Sequence, residues 1–278
     1  MKHLVVWDGP VSESKLKNVK WSTPTDILNI NHGVNPNYNC SKYWQLPQSD
    51  IPKCVGSNAF ANLASQYPEN GKLSAMLKSA GIDEDNYSQI CLAGFSAAHG
   101  LNNPILKDSK SRGMISCFLA MDSYYGSSIK EGYLKFAKEA SRSGSKAMFA
   151  TTSPFGGPPS IPYAPSAEAI KPFLSKFDLE NINFQLNGGI WQRDGNFLYG
   201  NYDGKTSHAD HVGIGVNLIE NYISPWMTQL DGNKPLYNQN LLKRGANWKT
   251  VATVGGVVLL VGGVSAGGVM FAKSKGLI

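Results

Sequence analysis

Apolar residues in this chain fall into short runs, each closed by a polar residue or a turn former. His3 to Trp7 is the first and ends at Asp8-Gly9-Pro10. Asp26 to Asn31 alternates apolar and polar positions, which predicts a second strand ending at His32-Gly33. Gln89–Phe95, Met114–Met121 and Lys146–Thr151 predict further strands, with two more candidates at Asn181–Leu186 and Gly195–Tyr199. Between these runs the apolar period lengthens. Asn58–Tyr67 and Gly71–Ala80 predict helices; in the second, Leu73, Met76, Leu77 and Ala80 recur at helical spacing and Gly81 ends the run. A short helix is predicted from Ser96 toward Ile105, an amphipathic one over Ser128–Ser143, and a third near Ala167–Lys176 with Ser166 as its cap. Ser207-His208-Ala209-Asp210-His211-Val212 opens a last helix through Met227, with Val212, Val216, Ile219 and Ile223 on one face.

Strands that alternate with helices, and are apolar enough to be buried on both faces, predict an α/β fold. Its sheet is mainly parallel, with helices on both faces. In such sheets functional residues gather at the carboxyl ends of the strands. Here those positions hold Asp8, His32, Ser96, Asp122 and Thr152. The domain is predicted over residues 1–230. It includes a long irregular stretch, Val34 to Ser57, and a Gly/Pro loop, Phe155 to Pro165. Loops of that length are often functional covers.

The chain changes character after residue 230. A linker over 231–250 leads to Val251–Ala272, a stretch of 22 residues without a charge. Lys243, Arg244 and Lys249 precede it, and Lys273 and Lys275 lie in the short basic tail, 273–278. At about 1.5 Å per residue, a helix of this length crosses a hydrocarbon core of about 30 Å. The expectation is a single-pass C-terminal membrane anchor that contacts lipid through 251–272, in a cell or viral envelope, on a side the sequence does not specify. Gly263 and Gly267 form a small-xxx-small pair suited to helix–helix self-association. The alternative is a Gly-rich apolar tail packed on a protein partner.

Composition narrows the partners. The net charge is +6, but Lys and Arg are scattered, and their only clusters flank the apolar tail. No nucleic-acid-binding motif is present, so nucleic acid is not an expected partner. Cys91 and Cys117 lie in apolar runs and read as core residues. Cys40 and Cys54 flank a loop rich in Asn, Pro and Tyr, and a disulfide and two free thiols both remain open. No Cys/His ligand spacing occurs, so no metal is expected, and no motif implies a cofactor. The apolar run at the N-terminus is too short for a signal peptide and reads as a strand.

The chemistry centres on Gly94-Phe95-Ser96-Ala97-Ala98, a strand running into a sharp turn before a helix. Serine is a poor nucleophile at neutral pH unless a base lies within hydrogen-bond reach and a third group orients that base. Asp122 follows the next strand, and His208 and His211 open the last helix. Asp203, Asp210 and Asp178 are other carboxylates for the same role. His99, one helical turn after Ser96, reads as a structural histidine.

The order Ser, Asp, His, with each residue at the end of a strand or the start of a late helix, resembles the α/β-hydrolase family over roughly residues 1–227. The elbow departs from the family's Gly-x-Ser-x-Gly in carrying Ala98 where a second glycine is expected. The resemblance implies Ser96 as nucleophile and Asp122 as acid. It implies His211 as the preferred base, with His208 as the alternative. It also implies an oxyanion hole from the N–H of Ala97 and a second donor in the Gly33-Val34 loop, with Asp8-Gly9-Pro10 as the competing loop. The implied activity is cleavage of a carboxylic ester through an acyl-enzyme, as an esterase or lipase. The substrate would be an ester or acyl compound. The competing class is a non-catalytic, membrane-associated structural or virion protein built on a hydrolase-like body.

Overall fold

The computed structural model describes residues 2–8, 18–29, 72–125, 129–154, 165–184, 186–232, 253–254 and 257–258. Eight strands form one sheet: β1 (Lys2–Asp8), β2 (Thr25–Asn29), β3 (Tyr87–Phe95), β4 (Ile115–Met121), β5 (Ala147–Thr152), β6 (Glu180–Ile182), β7 (Ile190–Asp194) and β8 (Phe197–Asn201). Their spatial order is β2-β1-β3-β4-β5-β8-β7-β6. Every pairing from β2 across to β8 is parallel, whereas β7 pairs antiparallel with both β8 and β6. The expected α/β architecture with a mainly parallel sheet is therefore present.

The helices are α1 (Leu73–Ser79), α2 (His99–Lys107), α3 (Ser109–Met114), α4 (Glu131–Arg142), α5 (Ser166–Ala169), α6 (Lys171–Leu174), α7 (Asp210–Leu218) and α8 (Ser224–Asp231). A π-helical turn, Ile219–Ile223, joins α7 to α8. The last helix thus runs to Asp231 rather than stopping at Met227.

Side chains on a strand alternate between faces, and β1 shows the consequence directly. Leu4 and Val6 join a core with Leu77 of α1, Ile105 of α2 and Phe136 of α4. Val5 and Trp7 join a second core with Ile214 and Leu218 of α7 and Met227 of α8. Both faces of the central strands are covered, which explains why β4 and β5 read as nearly unbroken apolar runs. Burying one Leu or Phe side chain this fully stabilises by about 1.5–3 kcal/mol. The far end of the molecule is tied in by polar contacts. His3 Nε2 lies 2.8 Å from Asp231 Oδ2, and Gln89 donates to Asp231 Oδ1 at 3.0 Å.

Three expectations need correction. β7 was not anticipated; it turns into β8 through Gly195-Asn196, and a Cβ on Gly195 would lie 2.1 Å from the Ser141 carbonyl oxygen. Ser166 does not cap its helix, because the N-cap position is Pro165 and no side-chain cap bond forms. At the C-terminus, Thr253–Val254 and Val257–Val258 pair as two-residue antiparallel strands, where a continuous helix was expected. No helix among the described residues is long and apolar enough to cross a membrane. The rest of 251–272, the helix predicted over 58–67 and the loops at 34–57 and 155–164 lie outside the described residues.

Candidate active site

β3 and β4 are neighbours in the sheet, so the residues that follow them emerge side by side at its carboxyl edge. Ser96 leaves β3 with φ 56°, and Asp122 leaves β4 with φ 44°. Both are left-handed conformations that non-glycine residues rarely adopt, and such strain persists only where the surroundings impose it. Ser96 opens a 3-10 turn, Ser96–Ala98, that runs straight into α2. This tight handover requires glycine at 94: an added Cβ there would lie 2.0 Å from Asn102 Nδ2 and 2.6 Å from Ala98 Cβ. Ala98 is itself fully buried against Gly94. The position needs a small side chain, and alanine meets the need.

The third participant comes from the loop before α7. Gly215 on α7 lets that helix approach β4 closely, since a Cβ there would lie 1.8 Å from Met121 Sδ. The approach brings His208 over the strand ends. His208 Nδ1 lies 2.6 Å from Asp122 Oδ2, and His208 Nε2 lies 2.9 Å from Ser96 Oγ. An ionised carboxylate accepts only, so Nδ1 carries the hydrogen and Nε2 faces Ser96 as a bare acceptor. Ser96 O–H then donates to Nε2. The imidazole is sandwiched: Phe95 stacks on it at 4.5 Å and Tyr125 meets it edge-on at 6.2 Å. The Tyr125 hydroxyl also reaches 3.3 Å from Nδ1. The His208 side chain is 35% exposed, whereas Asp122 is 0% exposed, so the site opens to solvent on the serine side.

Asp122 is held by more than His208. Ser153 donates to it through its backbone N–H at 3.1 Å and its hydroxyl at 2.8 Å, and the Ser166 hydroxyl donates to Oδ1. Burial acts to raise the carboxyl pKa. The bond from His208, the neighbouring charges of His211 and His208 and the bond from Ser166 outweigh it, and the net result is a carboxyl below its ordinary range. Asp122 therefore stays ionised while fully buried.

His211, the preferred base from sequence, is not the histidine on Ser96. It is the second residue of α7, fully buried, and its Nδ1 lies 2.8 Å from Thr151 Oγ1 on β5. Tyr202 packs edge-on against its ring at 5.2 Å. The helix start explains the reversal. His208 precedes the first turn of α7 and can lean outward toward the strand ends, whereas His211 lies on the face of α7 that covers the sheet. Burial pushes its pKa down to about 4, against the opposing charge of Asp122.

His99 is half-buried beside the site: its Nδ1 lies 3.3 Å from the Ser96 carbonyl, and its ring tilts against Tyr125. Ala97 follows Ser96 in the 3-10 turn. Gly33 and Val34 lie outside the described residues. β2, which precedes them, is separated from β3 by β1, whereas Asp8 at the end of β1 is in register with Gly94. The end of β1 thus lies beside the strand that carries Ser96, and the residues that follow Asp8 lie outside the described residues. Thr151, Ser153 and Tyr125 were not singled out in the sequence as site residues. The run Thr151-Thr152-Ser153 at the end of an apolar strand is the signal that could have found the first two, because hydroxyls clustered there point to an anion to be held.

Among the described residues no cluster of His, Cys, Asp and Glu could hold a metal ion. The arrangement can move a proton from Ser96 Oγ to an oriented imidazole beside a buried anion. No protein-family model and no curated protein matches this chain.

Proposed function

We propose that this protein is a serine hydrolase of the α/β-hydrolase type that cleaves carboxylic esters through Ser96, His208 and Asp122. The observation that carries the reading is the unbroken relay Asp122 Oδ2–His208 Nδ1–His208 Nε2–Ser96 Oγ, with both contacts inside hydrogen-bond distance. In the proposed reaction Ser96 Oγ attacks the ester carbonyl carbon while His208 Nε2 takes the hydroxyl proton. The carbonyl oxygen becomes an oxyanion, held by the Ala97 N–H and a donor from a neighbouring strand-end loop. As the tetrahedral intermediate collapses, the C–O bond to the alcohol breaks and His208 gives its proton to the leaving oxygen. Water, deprotonated by His208, then attacks the acyl-serine; the acyl C–O bond to Ser96 breaks, His208 returns the proton to Ser96 Oγ, and the acid is released. Asp122 keeps the imidazole in the required tautomer and stabilises its charged form.

The uncharged stretch 251–272, between basic flanks, supports a membrane-attaching role and so a lipid or acylated substrate at a bilayer surface. The test is turnover of a p-nitrophenyl ester series by the purified protein and by Ser96→Ala. The parent is expected to turn over at least one ester, and Ser96→Ala should lose about 10³-fold or more of that rate. A parent with no turnover above buffer, or a variant equal to it, would favour the non-catalytic structural class instead.

A further inference from the structure

His211 is a buried titratable side chain that the relay does not use. It is bonded not to Ser96 but to Thr151 of β5, the strand that flanks Asp122's strand on the side away from β3. Thr151 has a second contact: the backbone N–H of Asp122 is shared between the Thr151 carbonyl oxygen at 2.9 Å and its Oγ1 at 3.2 Å. Asp122 is therefore gripped at its backbone from β5, at the point where its φ turns positive. Thr151 is β-branched, and any other χ1 rotamer would carry its hydroxyl away from the Asp122 N–H. The bond to His211 selects the rotamer that aims Oγ1 at the Asp122 N–H. Both residues are buried, with Thr151 at 1% and His211 at 0% exposure, so no solvent competes for the hydroxyl.

We propose that His211 and Thr151 are positioning residues: the His211–Thr151 bond holds Asp122 in its left-handed backbone conformation, and so aims its carboxylate at His208. The inference rests on the proposed catalytic reading for its consequence, but not for its physical test. Neither residue touches the reacting atoms. The Thr151 carbonyl keeps its share of the Asp122 N–H, and the carboxylate end is fixed separately by Ser153 and Ser166, so loss of the Oγ1 contact should tilt the group rather than release it.

The experiment compares the parent with Thr151→Val, Thr151→Ser, His211→Phe and His211→Gln in two readouts. The first is the ¹H and ¹⁵N resonance of the His208 Nδ1 site, which reports its bond to Asp122 whether or not any substrate is known. The second is the rate of labelling by a fluorophosphonate. Thr151→Val is nearly the same shape and removes only the hydroxyl; it should displace the Nδ1 resonance and slow labelling about tenfold, in keeping with the rate cost of small misalignments. Thr151→Ser should return both readouts toward the parent, and His211→Gln should fall closer to the parent than His211→Phe. An Nδ1 resonance in folded Thr151→Val that coincides with the parent's would overturn the inference, even if His211→Phe fails to fold. A parent that shows the Nδ1 shift and its displacement in Thr151→Val, yet takes up no label, would instead sink the catalytic reading and leave the positioning bond established.

Discussion

His208 and His211 are three positions apart and have opposite environments. His208 is partly open to solvent and spans Ser96 and Asp122; His211 is sealed between Thr151 and Tyr202. The sealed histidine leaves a mark on stability. Its ordinary pKa is 6.5, and burial, the largest influence, lowers it to about 4 in the folded protein. Between those values the unfolded chain binds a proton that the folded chain does not, so stability is complete above about 6.5 and is lost as the pH falls toward 4. At about 1.36 kcal/mol per pH unit, the loss is about 3 kcal/mol. The depressed carboxylates Asp108, Asp122, Asp210 and Asp231 add their own loss only below their ordinary value of 3.8, and Glu131 only below 4.5. Urea unfolding of the parent and of His211→Gln between pH about 7 and about 4 checks this. The parent should lose stability steeply across that window and the variant should lose much less. Parallel curves would mean that His211 is not the group responsible.

At the scale of elements, the turn from β3 into α2 is the most constrained junction. Gly94 faces Ala98 and Asn102 at distances no side chain could occupy. Gly94→Ala should cost about 1–3 kcal/mol through overpacking, and it should impair any Ser96 chemistry by more than that loss of stability explains. Denaturant midpoints and ester turnover measured on the same samples separate the two effects; an unchanged midpoint would mean that the turn is looser than its geometry. The elements themselves were largely legible in the sequence, because the central parallel strands are buried on both faces and each apolar run stops at its turn. The β7–β8 hairpin was not. Ile190–Asp194 mixes apolar, aromatic and charged residues, and its antiparallel pairing breaks the strand–helix alternation that guided the rest. The residue types of the site, and the strand ends that carry them, could also be read from sequence. Which histidine faces Ser96 could not: that depends on where α7 begins, and helix starts shift by a residue or two without leaving a pattern. The grip of Thr151, Ser153 and Ser166 on Asp122 joins residues far apart in the chain and follows only from the sheet order.

For the whole molecule, a three-layer body displays one relay at the carboxyl edge of its sheet, and a separate uncharged segment follows it. The proposed membrane role belongs to that segment alone. A chain ending at Lys249 should keep its turnover and leave the membrane pellet for the supernatant on fractionation; a truncated chain that still pellets would place the attachment in the body. The body's central claim is that Ser96 is an activated nucleophile. The most direct measurement is mass mapping of protein treated with a fluorophosphonate. The geometry of Ser96, His208 and Asp122 predicts a single adduct on the peptide that carries Ser96, absent from Ser96→Ala. No adduct on the folded parent, or one that persists in Ser96→Ala, would contradict it.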